Sequence, residues 1–280
     1  MSNNKIYTPK KKIDFIELFK DIIDGIKSGN EIAIRLFIRD LKSGFEKSLL
    51  GYFWLIIPPL VTSGIWILLT STNVINIVNV PMNYSAYCLI GTTIWGIFSE
   101  SVSKPLQRYK SGMGMMVKLN FPRESFVLAA TYDLIFGIFI RFLFLVPLLW
   151  VLGYTPGINT FFAFVSIIIL SFIGLSIGLL LTPLGLLFSD VSRLISMGLP
   201  FLMYFSPVLY PISSRNILSR LDFLNPASSW LEFARSLLGG YQYSDYLTMT
   251  IWIFISLFSF LLGFILLNIT LPIIVERSGS

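Results

Sequence analysis

Between Leu49 and Leu271 the chain runs six times through long stretches with hardly a charge: roughly 50–70, 84–103, 125–150, 160–182, 194–211 and 247–271. A helix needs about 20 mostly apolar residues to cross a hydrocarbon core ~30 Å thick. The fourth stretch can run on to Phe188, and the fifth is short and interrupted by Pro200 and Pro207. A closed β-barrel would show alternating segments of about ten residues instead. The pattern predicts an all-α integral membrane protein with six transmembrane helices. Composition agrees: 13% of residues are charged and 55% hydrophobic, whereas a soluble domain carries about 25% charge.

Lys and Arg set the orientation. Ten of the 21 precede the first stretch: Lys5, Lys10, Lys11, Lys12, Lys20, Lys27, Arg35, Arg39, Lys42 and Lys47. Lys104, Arg108, Lys110, Lys118 and Arg123 crowd the link between the second and third stretches, while the links at 71–83 and 153–159 have none. Both termini are therefore expected in the cytoplasm. Arg215, Arg220 and Arg235 fall on the outside, in a longer link balanced by acids, where the rule weakens. Scattered as it is between apolar spans, the formal charge of +6 reads as topological bias and not as a nucleic-acid surface. The N-terminus is long, polar and mixed in charge, unlike a cleavable signal peptide.

Two amphipathic helices are expected before the first span. Phe15, Phe19, Ile22, Ile23 and Ile26 share one face; after a break at Ser28-Gly29-Asn30, Ile34, Phe37, Ile38, Leu41 and Phe45 repeat the pattern. Such helices lie in the headgroup plane with their basic side toward lipid phosphates. Between spans five and six, "SSWLEFARSLLGG" reads as a short helix dipping into the outer leaflet, capped by Ser229 and Glu232 and stopped by Gly239-Gly240. The organisation is N-terminal cytoplasmic and interfacial helices over 1–48, a six-span domain over 49–275 and a short cytoplasmic tail over 276–280.

Chemistry is sparse. There is no His, and the lone Cys88 excludes a disulfide framework and a thiolate metal site. Neither a G-x-x-x-x-G-K-(S/T) phosphate loop nor an H-E-x-x-H zinc motif occurs. Ionisable residues inside the spans are few: Glu100, Asp133 and Arg141. Asp133 and Arg141 stand eight residues apart, about two helical turns, and share a face. Structural pairing, substrate contact and proton coupling are all open to them.

Several segments together resemble the ABC-2-type polysaccharide-export permeases, the transmembrane subunits of O-antigen and teichoic acid exporters. "FIRDLKSGFEKSLLGYFWLIIPPL" resembles that family's approach to the first span, R-D-(I/L)-K followed by S-x-L-G-x-x-W and a proline. "MMVKLNFPRES" is similar to its cytoplasmic link ending in F-P-R-E. "FSDVSRLISMGLPFLMYFSPVLYPIS" resembles its F-R-D-(I/V) segment and fifth span, and "LNPASSWLEFARSLLGG" its N-P segment and short helix. At Phe188-Ser189-Asp190 the family's usual Arg is Ser, with Arg193 one turn on.

The resemblance implies the permease subunit of a transporter that exports a lipid-linked polysaccharide across the cytoplasmic (inner) membrane. It implies a homodimer joined to a separate ABC ATPase, which would bind the ATP and Mg; this chain would bind no cofactor or metal and catalyse no reaction. It also implies that the first and fifth spans line the path. Aromatic rings offer sugars apolar contact with few fixed hydrogen bonds, which makes Tyr52, Trp54, Trp66, Tyr204, Phe205 and Tyr210 path candidates; the alternative for each is an interfacial anchor or packing. Pro58 and Pro59 are expected to kink the first span, either to open a conduit or to improve packing. Pro105 is expected to stop the second span. Arg108, Lys110, Lys118, Phe121, Pro122, Arg123 and Glu124 are candidates for coupling to the ATPase. Arg35 and Arg39 are candidates for the carrier's phosphate, with ordinary anionic-lipid contact as the alternative. Two other functions stay open at this point: a membrane-embedded glycosyl- or phosphotransferase acting on lipid-linked glycans, and an ABC-2 permease for drugs or lipids.

Overall fold

The computed structural model describes residues 15–45, 48–77, 80–118, 122–211 and 223–278, and every regular element among them is helical. The helices are α1 (Phe15–Phe45), α2 (Ile57–Ser71), α3 (Tyr84–Lys118), α4 (Glu124–Val151), α5 (Ile158–Leu187), α6 (Ser189–Tyr204), α7 (Pro226–Gly239) and α8 (Tyr246–Ser278), with a 3-10 turn at Gly51–Leu55. Among the described residues, three helices are long and apolar enough to cross a membrane: Glu124–Val151, Ile158–Leu187 and Tyr246–Ile274. At 15 residues, α2 alone rises only about 22 Å.

The centre is α3 against α5, with α8 on the other side of α5 and α7 lying over both α3 and α5. Ile90, Ile94 and Ile97 of α3 meet Ile167, Leu170 and Ile173 of α5 in one buried cluster that also takes in Val208, Leu209 and Leu231. In lipid the hydrophobic effect does not drive helices together, so close packing by small residues has to. Ser101 and Ser171 bring their hydroxyls to 2.8 Å. Gly174 and Gly178, four apart on α5, leave room for the backbone of α3: a Cβ on Gly174 would stand 3.0 Å from the Phe98 carbonyl oxygen, and one on Gly178 would overlap that of Val102. On α8, a Cβ on Gly263 would sit 2.8 Å from the Leu180 nitrogen.

The two expected N-terminal helices are one. The supposed breakers at 28–30 have become contact residues: Ser28 Oγ donates back to the Asp24 carbonyl (2.8 Å), Gly29 is buried against Ser125, and Asn30 accepts the Tyr132 hydroxyl. α1 thus packs along α4 through Gly29, Ala33 and Leu36, with Phe37 against the rings of Tyr132 and Phe136. Ile34 and Ile38 of the expected apolar face stay exposed.

Three proline and capping expectations also change. Pro58 and Pro59 stand in the first turn of α2 instead of kinking a span, because a proline's missing N–H is tolerated where the helix has no partner for it. Pro105 does not stop α3, which continues to Lys118; Val102, Leu106 and Tyr109 are buried on either side of it, and this packing outweighs one lost backbone bond. The N-cap of α7 is Asn225, whose Oδ1 accepts from Ala227 N at 3.0 Å, so Ser229 and Glu232 fall inside the helix. Its expected stop holds: Gly240 caps the end with φ +75°, in the left-handed region that suits glycine.

The α3–α5 contact predicts opposite outcomes for two alanine substitutions. Gly178→Ala forces a methyl into the Val102 backbone and should cost about 1–3 kcal/mol. Gly96→Ala faces open space and should be neutral or gain up to about 1 kcal/mol. Thermal unfolding in one detergent, followed by size-exclusion chromatography, checks both.

Candidate functional site

Helices α1, α3 and α4 meet in a row of alternating charges. Asp40 of α1 pairs with Arg108 of α3, whose guanidinium also takes Asp133 of α4, with Nε 2.7 Å from Oδ2. Lys104, one turn back on α3, lies 3.6 Å from Asp133 and 3.2 Å from Glu100. Arg141 of α4 closes the row 2.7 Å from the other Glu100 oxygen and donates from Nε to the Leu55 carbonyl at 3.2 Å. Asp133 and Arg141 do not pair directly with each other within the chain. The two lie along one face of α4, and α3 supplies each with a nearer opposite charge.

The Arg108 and Asp133 side chains are 10% and 12% exposed. Three buried cations meet three carboxylates here, and the exposed Arg39 adds a fourth cation at Asp40. A cavity of about 400 Å3 opens beside the row, lined among others by Asp40, Glu100, Lys104, Gln107 and Asp133. At its outer end, burial alone would raise the Asp40 carboxyl, but the hydrogen bond from Arg39 and the Arg108 guanidinium outweigh it and hold the carboxyl below its ordinary range.

Three of the six aromatic path candidates come together. The rings of Trp66 (α2) and Tyr204 (end of α6) lie 6.5 Å apart, and the Tyr210 hydroxyl donates to the Tyr204 carbonyl. Trp66 and Tyr210 line a second cavity of about 400 Å3 with Ile75, Asn76, Ile77 and Pro211. Phe205 instead borders an apolar cavity of about 710 Å3 between α3, α5 and α6. Tyr52 packs on Phe136 of α4 (5.3 Å), and Trp54 is exposed; both stand in the 3-10 turn before α2, away from Trp66.

The coupling candidates divide. Lys110 is exposed. Arg108 is committed to the charge row. Pro122, Arg123 and Glu124 form a junction: Glu124 is buried with its carboxyl against Gly25 of α1, the Arg123 carbonyl accepts from Tyr109 (3.0 Å), and its guanidinium donates to the Asn268 carbonyl of α8 (3.4 Å). Lys118 ends α3, and Phe121 lies outside the described residues. Of the phosphate candidates, Arg35 is exposed and pairs with Glu31 at 2.6 Å, while Arg39 pairs with Asp40 at 2.6 Å.

Sequence reasoning missed Arg235, which it read as a loop charge. Its side chain is fully buried. It donates to the carbonyls of Pro207 (2.8 Å) and Val208 (3.1 Å), contacts Glu232 at 2.5 Å, and lies 3.6 Å over the Tyr87 ring. Tyr87 and Tyr241 donate to the same Glu232 carboxylate. This knot holds the 205–211 turn against α3 and α7, and Gly91 leaves space for it. The available signal was position: Arg235 shares the apolar face of α7 with Leu231, Ala234 and Leu238.

Comparison with known proteins agrees with the motifs. The chain is 26% identical over 232 residues to an O-antigen export system permease protein RfbA of Klebsiella pneumoniae, covering 79% of this chain and 86% of that one. A second protein of that name from the same organism is 26% identical over 185 residues, 64% of this chain and 69% of the other. One from Myxococcus xanthus is 26% identical over 188 residues, 65% and 69%. No protein-family model matches. The likeness to polysaccharide-export permeases read from the motifs is therefore borne out.

Two predictions follow from the charge row. Arg108→Met removes the guanidinium that Asp40 and Asp133 share, leaving them Arg39 and the more distant Lys104, and should destabilise the chain by about 1.5–3 kcal/mol, whereas Asp133→Asn leaves Arg108 its Asp40 partner and should cost less; denaturant titration in detergent compares them. Because the Asp40 carboxyl is depressed on folding, its contribution is complete above the unfolded value and is lost as pH falls below about 4. Hydrogen exchange of the α1 amides, corrected for intrinsic rates, should rise in that window, and the rise should be smaller in Asp40→Asn.

Proposed function

We propose that this relative of the O-antigen export permeases is the membrane-spanning subunit of an ATP-driven exporter of lipid-linked polysaccharide. The observation that carries the reading is the similarity to such permeases over most of both chains, coinciding with a sequence that has membrane-length apolar helices and no phosphate-binding loop of its own. In this reading α2, α3 and α6 join α4, α5 and α8 as spans, giving six, with both termini in the cytoplasm of the inner membrane. Two copies assemble with a separate ATPase that binds ATP and Mg.

The internal chemistry suits such a role. With each buried cation of the charge row already paired, the row serves to join helices. Trp66, Tyr204 and Tyr210 form the surface best suited to a sliding glycan: flat rings with one hydroxyl already engaged, beside the Asn76 amide. Lys110 remains as an exposed contact for the ATPase. The transferase alternative needs clustered acids able to work as acid and base, and the carboxylates of the charge row are each held by a cation.

Purification of the tagged chain in mild detergent from its native host, with partners identified by mass spectrometry, is the decisive experiment. An ATPase with a phosphate-binding loop should be recovered in equal amount; the chain alone in several detergents would sink the reading. In the assembled complex, Trp66→Ala and Tyr204→Ala should each lower export roughly 2- to 10-fold at unchanged abundance, the effect of losing about 0.5–1.5 kcal/mol of ring contact.

A further inference from the structure

The charge row ends on a backbone carbonyl, that of Leu55. In a 3-10 turn a carbonyl accepts from the residue three along, and in an α-helix from the residue four along. For Leu55 those residues are Pro58 and Pro59, and proline has no N–H. The next donor, Leu60 N, is taken by the Ile56 carbonyl at 3.1 Å. The double proline therefore removes both regular backbone partners of one carbonyl, at the point where the chain passes from the 3-10 turn into α2. Arg141 Nε donates to that carbonyl at 3.2 Å, while its terminal nitrogen holds Glu100. The following carbonyls are met by their own helix and by Thr92 Oγ1, which donates to Pro59 O at 3.3 Å.

We propose that Arg141 is a positioning residue: it fixes the start of α2 to α3 and α4 through the Leu55 carbonyl that Pro58 and Pro59 leave open. An amide donor within α2 would tie that carbonyl to its own helix. A guanidinium from α4 ties it to the row that runs through Glu100, Lys104, Asp133 and Arg108 to Asp40 on α1. The lead-in to α2 and the N-terminal helix are thereby joined to one rigid pair of helices, although Asp40 and Leu55 themselves belong to different elements. The functional consequence rests on the permease reading: α2 also carries Trp66, so the base of this helix sets where the ring stands in the path.

The test separates the carbonyl contact from the ion pair. Arg141→Met combined with Glu100→Gln removes the guanidinium without stranding a carboxylate. In the complex with its ATPase in lipid nanodiscs, amide exchange over residues 53–62 should rise roughly 10- to 100-fold, the scale of losing a hydrogen bond from a charged donor, with α5 and α8 unchanged. Adding Pro59→Ala supplies an N–H four residues from Leu55 and should restore much of the protection. A purely structural role for Arg141 would not be relieved by that change. Unchanged exchange at 53–62, an equal rise in α5, or no relief by Pro59→Ala overturns the proposal. Arg141→Lys, which keeps the charge beside Glu100 but has one nitrogen for two acceptors, gives the same comparison if the double variant does not fold. Export is then measured separately. A several-fold loss at equal abundance extends the effect to transport, while a wild-type complex that moves no glycan refutes the permease reading and leaves the exchange result to decide on Arg141.

Discussion

An unpaired charge or carbonyl surrounded by hydrocarbon costs several kcal/mol, because no water is there to satisfy it. This chain places six charged side chains where α1, α3 and α4 meet and lets each answer another. The price of burying them is met pairwise, as Arg108 sits between Asp40 and Asp133 and Glu100 sits between Lys104 and Arg141. The same constraint explains Leu55: a carbonyl deprived of its backbone donors takes one from α4. The knot around Arg235 follows the same rule, with Arg235 answering the carbonyls of the 205–211 turn, where Pro207 breaks the run after α6.

Around these polar joints the helices are held by fit. Ser171, Gly174 and Gly178 let α5 approach the backbone of α3, and Gly263 does the same for α8. Polar joints and close packing have different consequences for motion. Interdigitated α3 and α5 can shift only by repacking, whereas α2 packs along α3 and is also tied at its base and through its Pro59 carbonyl. The helix carrying Trp66 is thus placed both by packing on α3 and by hydrogen bonds at its start.

Much of this was legible in advance. The apolar runs marked α4, α5 and the apolar part of α8 because length and continuity are local properties, and Gly239-Gly240 marked the end of α7 for the same reason. The aromatic candidates Trp66, Tyr204 and Tyr210 converge, while Tyr52 and Trp54 lie in the 3-10 turn before α2. Ser28-Gly29-Asn30 misled because a small polar triplet breaks a helix in water, whereas here Ser28 bonds back to its own helix and Gly29 and Asn30 meet α4. The spacing of Asp133 and Arg141 on one helix could not show which charges of α3 each one meets, because it is blind to the neighbouring helix. Pro105 likewise sits in a helix whose packing outweighs one missing bond.

By itself the sequence determined that this is a helical membrane protein, since 13% charged residues cannot clothe a water-exposed surface. It also carried the likeness to O-antigen export permeases, because short motifs survive as local strings. Only the tertiary structure decided which opposite charges meet, and that Arg141 serves Leu55, 86 residues away. Charge pairing and carbonyl satisfaction depend on distances across helices, and those distances exist only once the helices have packed.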